Sequence, residues 1–256
     1  DRHAARVVHL LLSQDGRARS VAGTSGAAAC SSETHAVAVE SEAQDADELQ
    51  AFIGAMHAIA LNLFFLRYIS NFRIKNSAGH WIVHSHLPPL NHPAFARFVD
   101  LHLLRRVPGP SHAQIGLTNA CPQACAYCYN RERGGQAMDT ETILRVVREL
   151  QELGVCWLGL TGGEPLLNPD IARIVASAAG GCAVKLFTTG STLTREKARD
   201  LKDAGLFSVS VSLDHWTPEV HDRNRGLAGA FATALNAIRL FQETGGIQVG
   251  VSAVVS

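Results

Sequence analysis

The sequence predicts an α/β fold built on a parallel sheet, and three observations carry the prediction. From Ala113 onward, short apolar runs alternate with segments of helical periodicity. Glycines close three of the four helical segments. Of 256 residues, 46% are hydrophobic and only 18% charged, enough apolar material for one large core or two modest ones. Strands that alternate with helices are parallel and joined by right-handed crossovers.

The elements follow in order. Residues 1–48 are rich in Ala, Ser, Gly and Thr, with acids at Glu40, Glu42, Asp45, Asp47 and Glu48. They read as a weakly ordered or accessory segment. Leu49–Leu66 is apolar and carries no formal charge. Its length reaches the lower limit for a membrane-spanning helix, and Arg67, Arg73 and Lys75 follow it. Because Gln50, His57 and Asn62 interrupt it, a buried or surface-docked helix is the preferred reading. Residues 49–112 thus form a helical and connecting region. Pro88, Pro89 and Pro93 break regular structure there, and His80, His84, His86, His92, His102 and His112 read as scattered surface histidines, without the spacing of a metal site.

The regular part spans residues 113–256. Ile115–Leu117 is a first short strand. Ile143, Val146, Val147, Leu150 and Leu153 mark a helix over 139–153 that stops at Gly154. Val155–Leu160 is a buried strand, and Ile171, Ile174, Val175 and Ala178 mark the second helix. Cys182–Phe187 is the third strand, followed by a helix that Thr194 caps and that ends near Gly205. Leu206–Leu213 is the fourth strand. A helix through Phe231, Ala234, Leu235, Ile238 and Phe241 stops at Gly245 and Gly246, and Ile247–Val255 is the fifth strand. Ligands in such folds gather at the carboxyl ends of the strands.

Composition narrows the function. Lys plus Arg and Asp plus Glu are 23 each, so there is no net basic charge to bind nucleic acid. Six cysteines are too few for a disulfide scaffold at this length. Three of them fall in one run, Cys121-Pro-Gln-Ala-Cys125-Ala-Tyr-Cys128, just after the first strand. Three thiolates on one loop suit zinc or an iron–sulfur cluster. Structural zinc requires a fourth ligand, for which His112, Cys156 and Cys182 are the candidates. Thr161-Gly162-Gly163-Glu164-Pro165 follows the second strand, where the glycines allow close backbone approach and Glu164 offers an acceptor. Thr188-Thr189-Gly190-Ser191 follows the third. In the fourth, Ser208, Ser210 and Ser212 share one face while Val209, Val211 and Leu213 share the other.

The run LTNACPQACAYCYN, followed by TGGEP, TTGS and SVSVSLD with HDRNRG beyond it, resembles the radical S-adenosylmethionine (radical SAM) superfamily. The resemblance covers residues 113–256 and is closest to the peptide- and cofactor-maturing subgroups. It implies a partial (β/α)6 TIM-like barrel, of which about five units are present, and it marks the chain as a fragment lacking the end of the barrel. It implies that Cys121, Cys125 and Cys128 hold a [4Fe–4S] cluster and that Tyr127 lies near the adenine of S-adenosyl-L-methionine. It places Gly162, Gly163, Glu164 and Pro165 at the methionine ammonium group and Ser212 at the ribose or carboxylate. Thr189 stands where similar sequences have Asn. Asp214 reads as structural, and Arg223 or Arg225 as a partner for a carboxylate.

The activity so implied is reductive cleavage of S-adenosyl-L-methionine to a 5′-deoxyadenosyl radical, which abstracts hydrogen from a peptide or a cofactor precursor. A flavodoxin or ferredoxin would supply the electron. Exposed thiolates and a cluster call for the reducing cytoplasm, with membrane association through 49–66 as a lesser expectation. The alternatives are a zinc-binding module and a non-catalytic module that binds S-adenosylmethionine.

Overall fold

The structure is a computed structural model that describes residues 59–84, 87–132 and 137–254. The chain divides into two compact units, Asp1–Arg73 and Ile74–Ser256. In the first, residues 59–69 form helix α1. The accessory segment 1–48 and the first part of the apolar stretch, 49–58, lie outside the described residues. No described helix is long and apolar enough to cross a membrane.

The second unit opens with an antiparallel hairpin of β1 (Lys75–Ser77) and β2 (His80–Ile82). Helix α2 (Pro93–Phe98) follows and runs into a wider π-type turn at Val99–Leu104. Five strands then make one parallel sheet in sequential order. They are β3 (His112–Gly116), β4 (Trp157–Thr161), β5 (Ala183–Thr188), β6 (Leu206–Ser212) and β7 (Gln248–Ser252). Between them lie α3 (Thr140–Glu152), α4 (Ile171–Ala179), α5 (Arg195–Asp203), α6 (Pro218–Arg225) and α7 (Ala230–Thr244). The strands and the four long helices fall where periodicity puts them. Asp139 caps α3 by accepting from Thr142 N (2.8 Å), and Thr194 caps α5 by accepting from Lys197 N (3.1 Å).

The core lies between the sheet and these helices. Leu158, Leu160, Val184, Leu186, Val209 and Val211 pack against Ile143 and Val147 of α3, Ile174 of α4, Leu201 of α5 and Phe241 of α7. Each buried Leu or Val contributes about 2 kcal/mol of transfer free energy. The other face of the sheet, the inner face, is polar above an apolar floor. A register shift between β5 and β6 pairs Val184 with Leu206 but Lys185 with Ser208, leaving Phe207 as an extra residue. Phe207 joins Trp157, Ala183 and Cys156 at the floor, where Ala94 of α2 covers them.

Within the region read as helical and connecting, helix α2 and the π-type turn after it therefore form a packed cover for the amino end of the sheet. Arg97 of α2 holds it there, donating to Val155 O (2.9 Å) and to Gln151 O. The histidines read as surface residues are part of this packing. His80 stands edge-on to Phe207 with ring centroids 4.9 Å apart. His92 caps α2, its Nδ1 accepting from Ala94 N (3.1 Å). His102 Nε2 lies 2.7 Å from Gly154 O, and His112 lies 5.1 Å from Trp157, ring to ring. Aromatic rings and backbone carbonyls are the partners, so the spacing in sequence gave no sign of them. His86 lies outside the described residues.

Candidate active site

The Cys, TGGEP and TTGS motifs follow the carboxyl ends of β3, β4 and β5, and the serine motif runs along β6 to its end. The Cys loop leaves β3 and the TGGEP segment leaves β4, and the two are hydrogen-bonded together. Leu117 N donates to Thr161 O (2.8 Å), Gly163 N to Thr118 O (2.6 Å) and Glu164 N to Ala120 O (2.7 Å). This lacing explains the glycine pair. Gly162 has φ +131°, and a Cβ there would lie 2.5 Å from Thr118 O; at Gly163 it would lie 2.2 Å from Ala120 O. The close approach read from sequence as room for a ligand is made to the Cys loop itself.

Cys121, Cys125 and Cys128 are not in disulfides; Cys125 is buried and the other two are half-buried. The Sγ of Cys125 lies 3.8 Å from Gln123 Oε1, 3.8 Å from Arg225 O and 4.0 Å from Arg225 Nη1. Cys128 N donates to Cys125 O (3.2 Å). The three side chains share the loop without converging: among the described residues, no three His, Cys, Asp or Glu groups are placed to hold a metal ion. As a donor set, three thiols within eight residues and a guanidinium beside the central one fit an iron–sulfur cluster. The fourth zinc ligand considered from sequence is ruled out by topology. His112, Cys156 and Cys182 stand at the amino ends of β3, β4 and β5, ~16 Å along the strands from the Cys loop. Cys156 and Cys182 donate to Gly154 O and Val155 O (both 3.2 Å), and burial pushes the Cys182 thiol up to about 11.

A buried ionic cluster supports the loop from the β6 side. Asp214 follows β6, and its side chain is fully buried against Arg225 at the end of α6, which is 8% exposed. Arg225 Nη2 donates to Asp214 Oδ1 (2.6 Å), which also accepts from Val254 N (3.1 Å). Tyr127 donates its hydroxyl to Asp214 Oδ2, and the Arg225 guanidinium lies 5.6 Å from the centre of its ring. Burial and that hydrogen bond raise the Tyr127 pKa well above the ordinary phenol range. Asp214 N donates to His221 Nδ1 (3.1 Å), so the fully buried imidazole carries its proton on Nε2, which has no hydrogen-bond partner among the described residues. Burial and the neighbouring Arg225 lower the His221 pKa. The next residue, Gly226, is left-handed (φ +62°), and a Cβ there would lie 2.7 Å from Ala124 O. Ala124 N in turn donates to Arg225 O (2.9 Å). Of the two arginines singled out in the sequence, Arg225 is the carboxylate partner, and the Arg225–Gly226 corner is the seat of the Cys loop.

Glu164 is a fully buried hub. Oε1 accepts from Leu166 N (3.0 Å) and Thr188 Oγ1 (2.6 Å). Oε2 accepts from Thr189 N (2.7 Å) and from Thr189 Oγ1. Burial raises its pKa, and the four donors oppose that shift. The hub ties Pro165, first residue of a 3₁₀ turn (Pro165–Leu167), to the TTGS loop after β5. Thr189 Oγ1 is also 3.0 Å from Ser191 Oγ. Ser208 and Ser210 are buried on the inner face and Ser212 is half-buried at the end of β6, paired in register with Ser252. Ser210 Oγ lies 2.6 Å from Ser252 Oγ. Sequence reading missed helix α6 and the joining of Asp214, Arg225, Tyr127 and His221; the one available signal was Asp214 at the strand end with Arg223 and Arg225 beyond it.

The profile of the Radical SAM superfamily matches residues 115–255. The chain is 36% identical over 138 residues to the PqqA peptide cyclase of Rhodopseudomonas palustris, covering 52% of this chain and 37% of that protein. It is 35% identical over 153 residues to the PqqA peptide cyclase of Ruegeria pomeroyi, covering 58% and 41%. The chain therefore spans about two fifths of the length of these curated relatives. Among solved structures, SuiB of Streptococcus suis matches with a TM-score of 0.52 and 18% identity, both bound to precursor peptide SuiA and bound to S-adenosylmethionine. That match covers 58% of this chain and 34–35% of SuiB, and at this identity it shows a shared fold.

Proposed function

The chain belongs to the radical SAM superfamily, which uses a [4Fe–4S] cluster and S-adenosyl-L-methionine, and from that premise we propose that it is the core of an enzyme that modifies a peptide. The observation that carries the reading is the three-thiol loop seated on the Arg225–Gly226 corner at the carboxyl end of the sheet. Cys121, Cys125 and Cys128 would hold the cluster. When bound, it supplies the reductive cleavage of S-adenosyl-L-methionine and the hydrogen abstraction that follows. The peptide as substrate is supported by the relatives named as PqqA peptide cyclases.

The chain's own residues have distinct tasks in this reading. Arg225 puts its guanidinium 4.0 Å from the central thiol. Asp214 holds that guanidinium in place, and Tyr127 donates its hydroxyl to the same carboxylate. Glu164 fixes the turns after β4 and β5 in one position. Gly162, Gly163 and Pro165 shape the backbone beside the thiols, Thr189 braces Glu164, and Ser212 offers a hydroxyl at the rim for the cosubstrate. The electron donor would be a flavodoxin or ferredoxin.

The test is iron and sulfide content after anaerobic reconstitution of the full chain, followed by release of 5′-deoxyadenosine with a chemical reductant. About four irons per chain, with release that depends on Cys125, is the expected outcome. Zinc without iron would overturn the reading.

A further inference from the structure

The inner face of the sheet carries one lysine, and the reading above gives it no task. Lys185 lies in the middle of β5, in register with Gly159 of β4 and Ser208 of β6. Gly159 pairs with Gln114, and Ser208 with Gln248. Paired residues of a parallel sheet share a face. A Cβ at Gly159 would lie 2.8 Å from Gln114 Cγ and 3.2 Å from Phe187, which places these side chains on the face away from the helices. The floor of Trp157, Ala183 and Phe207 lies below this row, and Phe187 and Ser210 lie above it.

Among the described residues, the charge of Lys185 has no acidic counterpart. None of the five strands contains Asp, Glu or a second Lys or Arg. Its Nζ lies 5.2 Å from the centre of the Phe187 ring, and no acceptor among the described residues reaches it. By contrast, Lys197 Nζ donates to Leu166 O (3.1 Å) and Lys202 Nζ to Thr244 O (3.2 Å). Burial lowers the Lys185 pKa, the signature of a cation short of a partner. The face stays open beside it, since Gln114 and Gly116 are exposed. A single positive charge among neutral donors matches one carboxylate; a phosphate dianion calls for more.

We infer that Lys185 anchors a carboxylate of the substrate, an acidic side chain of a peptide, on the inner face ~10 Å below the carboxyl end of β5. The inference rests on the peptide reading above. It places the anchor one layer above the floor and leaves the rim, where the thiol loop lies, for the reacting part of the substrate. Ser208, Gln114 and Gln248 are the neighbouring groups that would complete the carboxylate's hydrogen bonds.

The chain has four lysines, Lys75, Lys185, Lys197 and Lys202, which makes the test direct. Reductive ¹³C-methylation of the full chain keeps each charge and labels each ammonium, and Lys185→Gln assigns the signal. The probes are acetyl-Ala-Glu-Ala-amide, its Gln counterpart and inorganic phosphate. The expected result is a saturable shift of the Lys185 signal with the Glu peptide alone. Lys185→Gln should weaken binding by about tenfold, and Lys185→Arg should restore it. No shift, equal response to the Gln peptide, tighter binding of phosphate, or unchanged affinity in Lys185→Gln would each overturn the inference. Iron content is read on the same samples: wild-type protein that takes up no iron defeats the enzymatic reading, whereas loaded protein that ignores the Glu peptide defeats only the anchor.

Discussion

The two ends of the sheet use the same residue types for opposite purposes. At the amino end, Cys156 and Cys182 are buried and bonded to carbonyls, and histidines pack edge-on against an aromatic ring. At the carboxyl end, three cysteines ride a loop, and a histidine backs a buried Asp–Arg pair. The difference teaches that residue type does not locate chemistry in this fold. Position along the strand does, because parallel strands put all loops that can face a ligand at one end.

The largest expected effect breaks the symmetry between the two cysteine sets. Cys125→Ala should abolish iron uptake in anaerobic reconstitution. Cys182→Ala should leave uptake intact and cost about 1 kcal/mol of stability, as a small truncation in a packed core. Equal iron content in both variants would mean that the carboxyl-end loop is not the cluster site.

Next in size is the buried pair. Asp214→Ala strands the Arg225 guanidinium and releases Tyr127 and Val254 N together. Breaking a buried pair from one side costs about 3–5 kcal/mol, against 1 kcal/mol or less for an exposed pair such as Arg105–Asp100. Urea denaturation of Asp214→Ala and Asp100→Ala separates the two cases. Glu164→Gln should follow, at about 2 kcal/mol: one carboxylate oxygen that accepts two hydrogen bonds becomes an amide that donates. Destabilisation below that of Asp100→Ala would show that the turns after β4 and β5 stand without their hub.

Much of this architecture was legible in the sequence, because periodicity is local. Ile143, Val147, Ile174 and Phe241 mark their helices unaided. Helix α6 was not legible: beyond Pro218, Val220 is its one apolar residue, and its buried residues are His221 and Arg225. Its burial is ionic, completed by Asp214 from another element, and no apolar stripe announces it. The cover at the amino end was hidden for a related reason. Pro93 reads as a breaker, yet it opens α2, where a missing N–H costs nothing. At the site, spacing exposed the three cysteines, whereas the task of Glu164 depended on which loops fold against it. Nothing in the run Cys182–Phe187 distinguishes Lys185 until register places it on the inner face.

The smallest effect sharpens the comparison from the amino end. His92 is held to a pKa of about 4, first by burial and then by the neighbouring His80. The folded state therefore resists a proton that the unfolded chain accepts at its ordinary value near 6.5. Between those values the unfolded state binds more protons, so stability is full above pH 6.5 and declines as pH falls towards 4. The decline from this group should be about 1 to 2 kcal/mol, allowing for partial exposure. His80, lowered by burial as well, adds to the same slope. The variant His92→Asn keeps a side chain able to cap α2 while removing the titration. Its unfolding free energy should match the wild type near neutrality and fall less steeply below pH 6.5. An unchanged slope would mean that the acid sensitivity of the fold lies elsewhere and that the amino-end histidines are held less tightly than their packing on Phe207 implies.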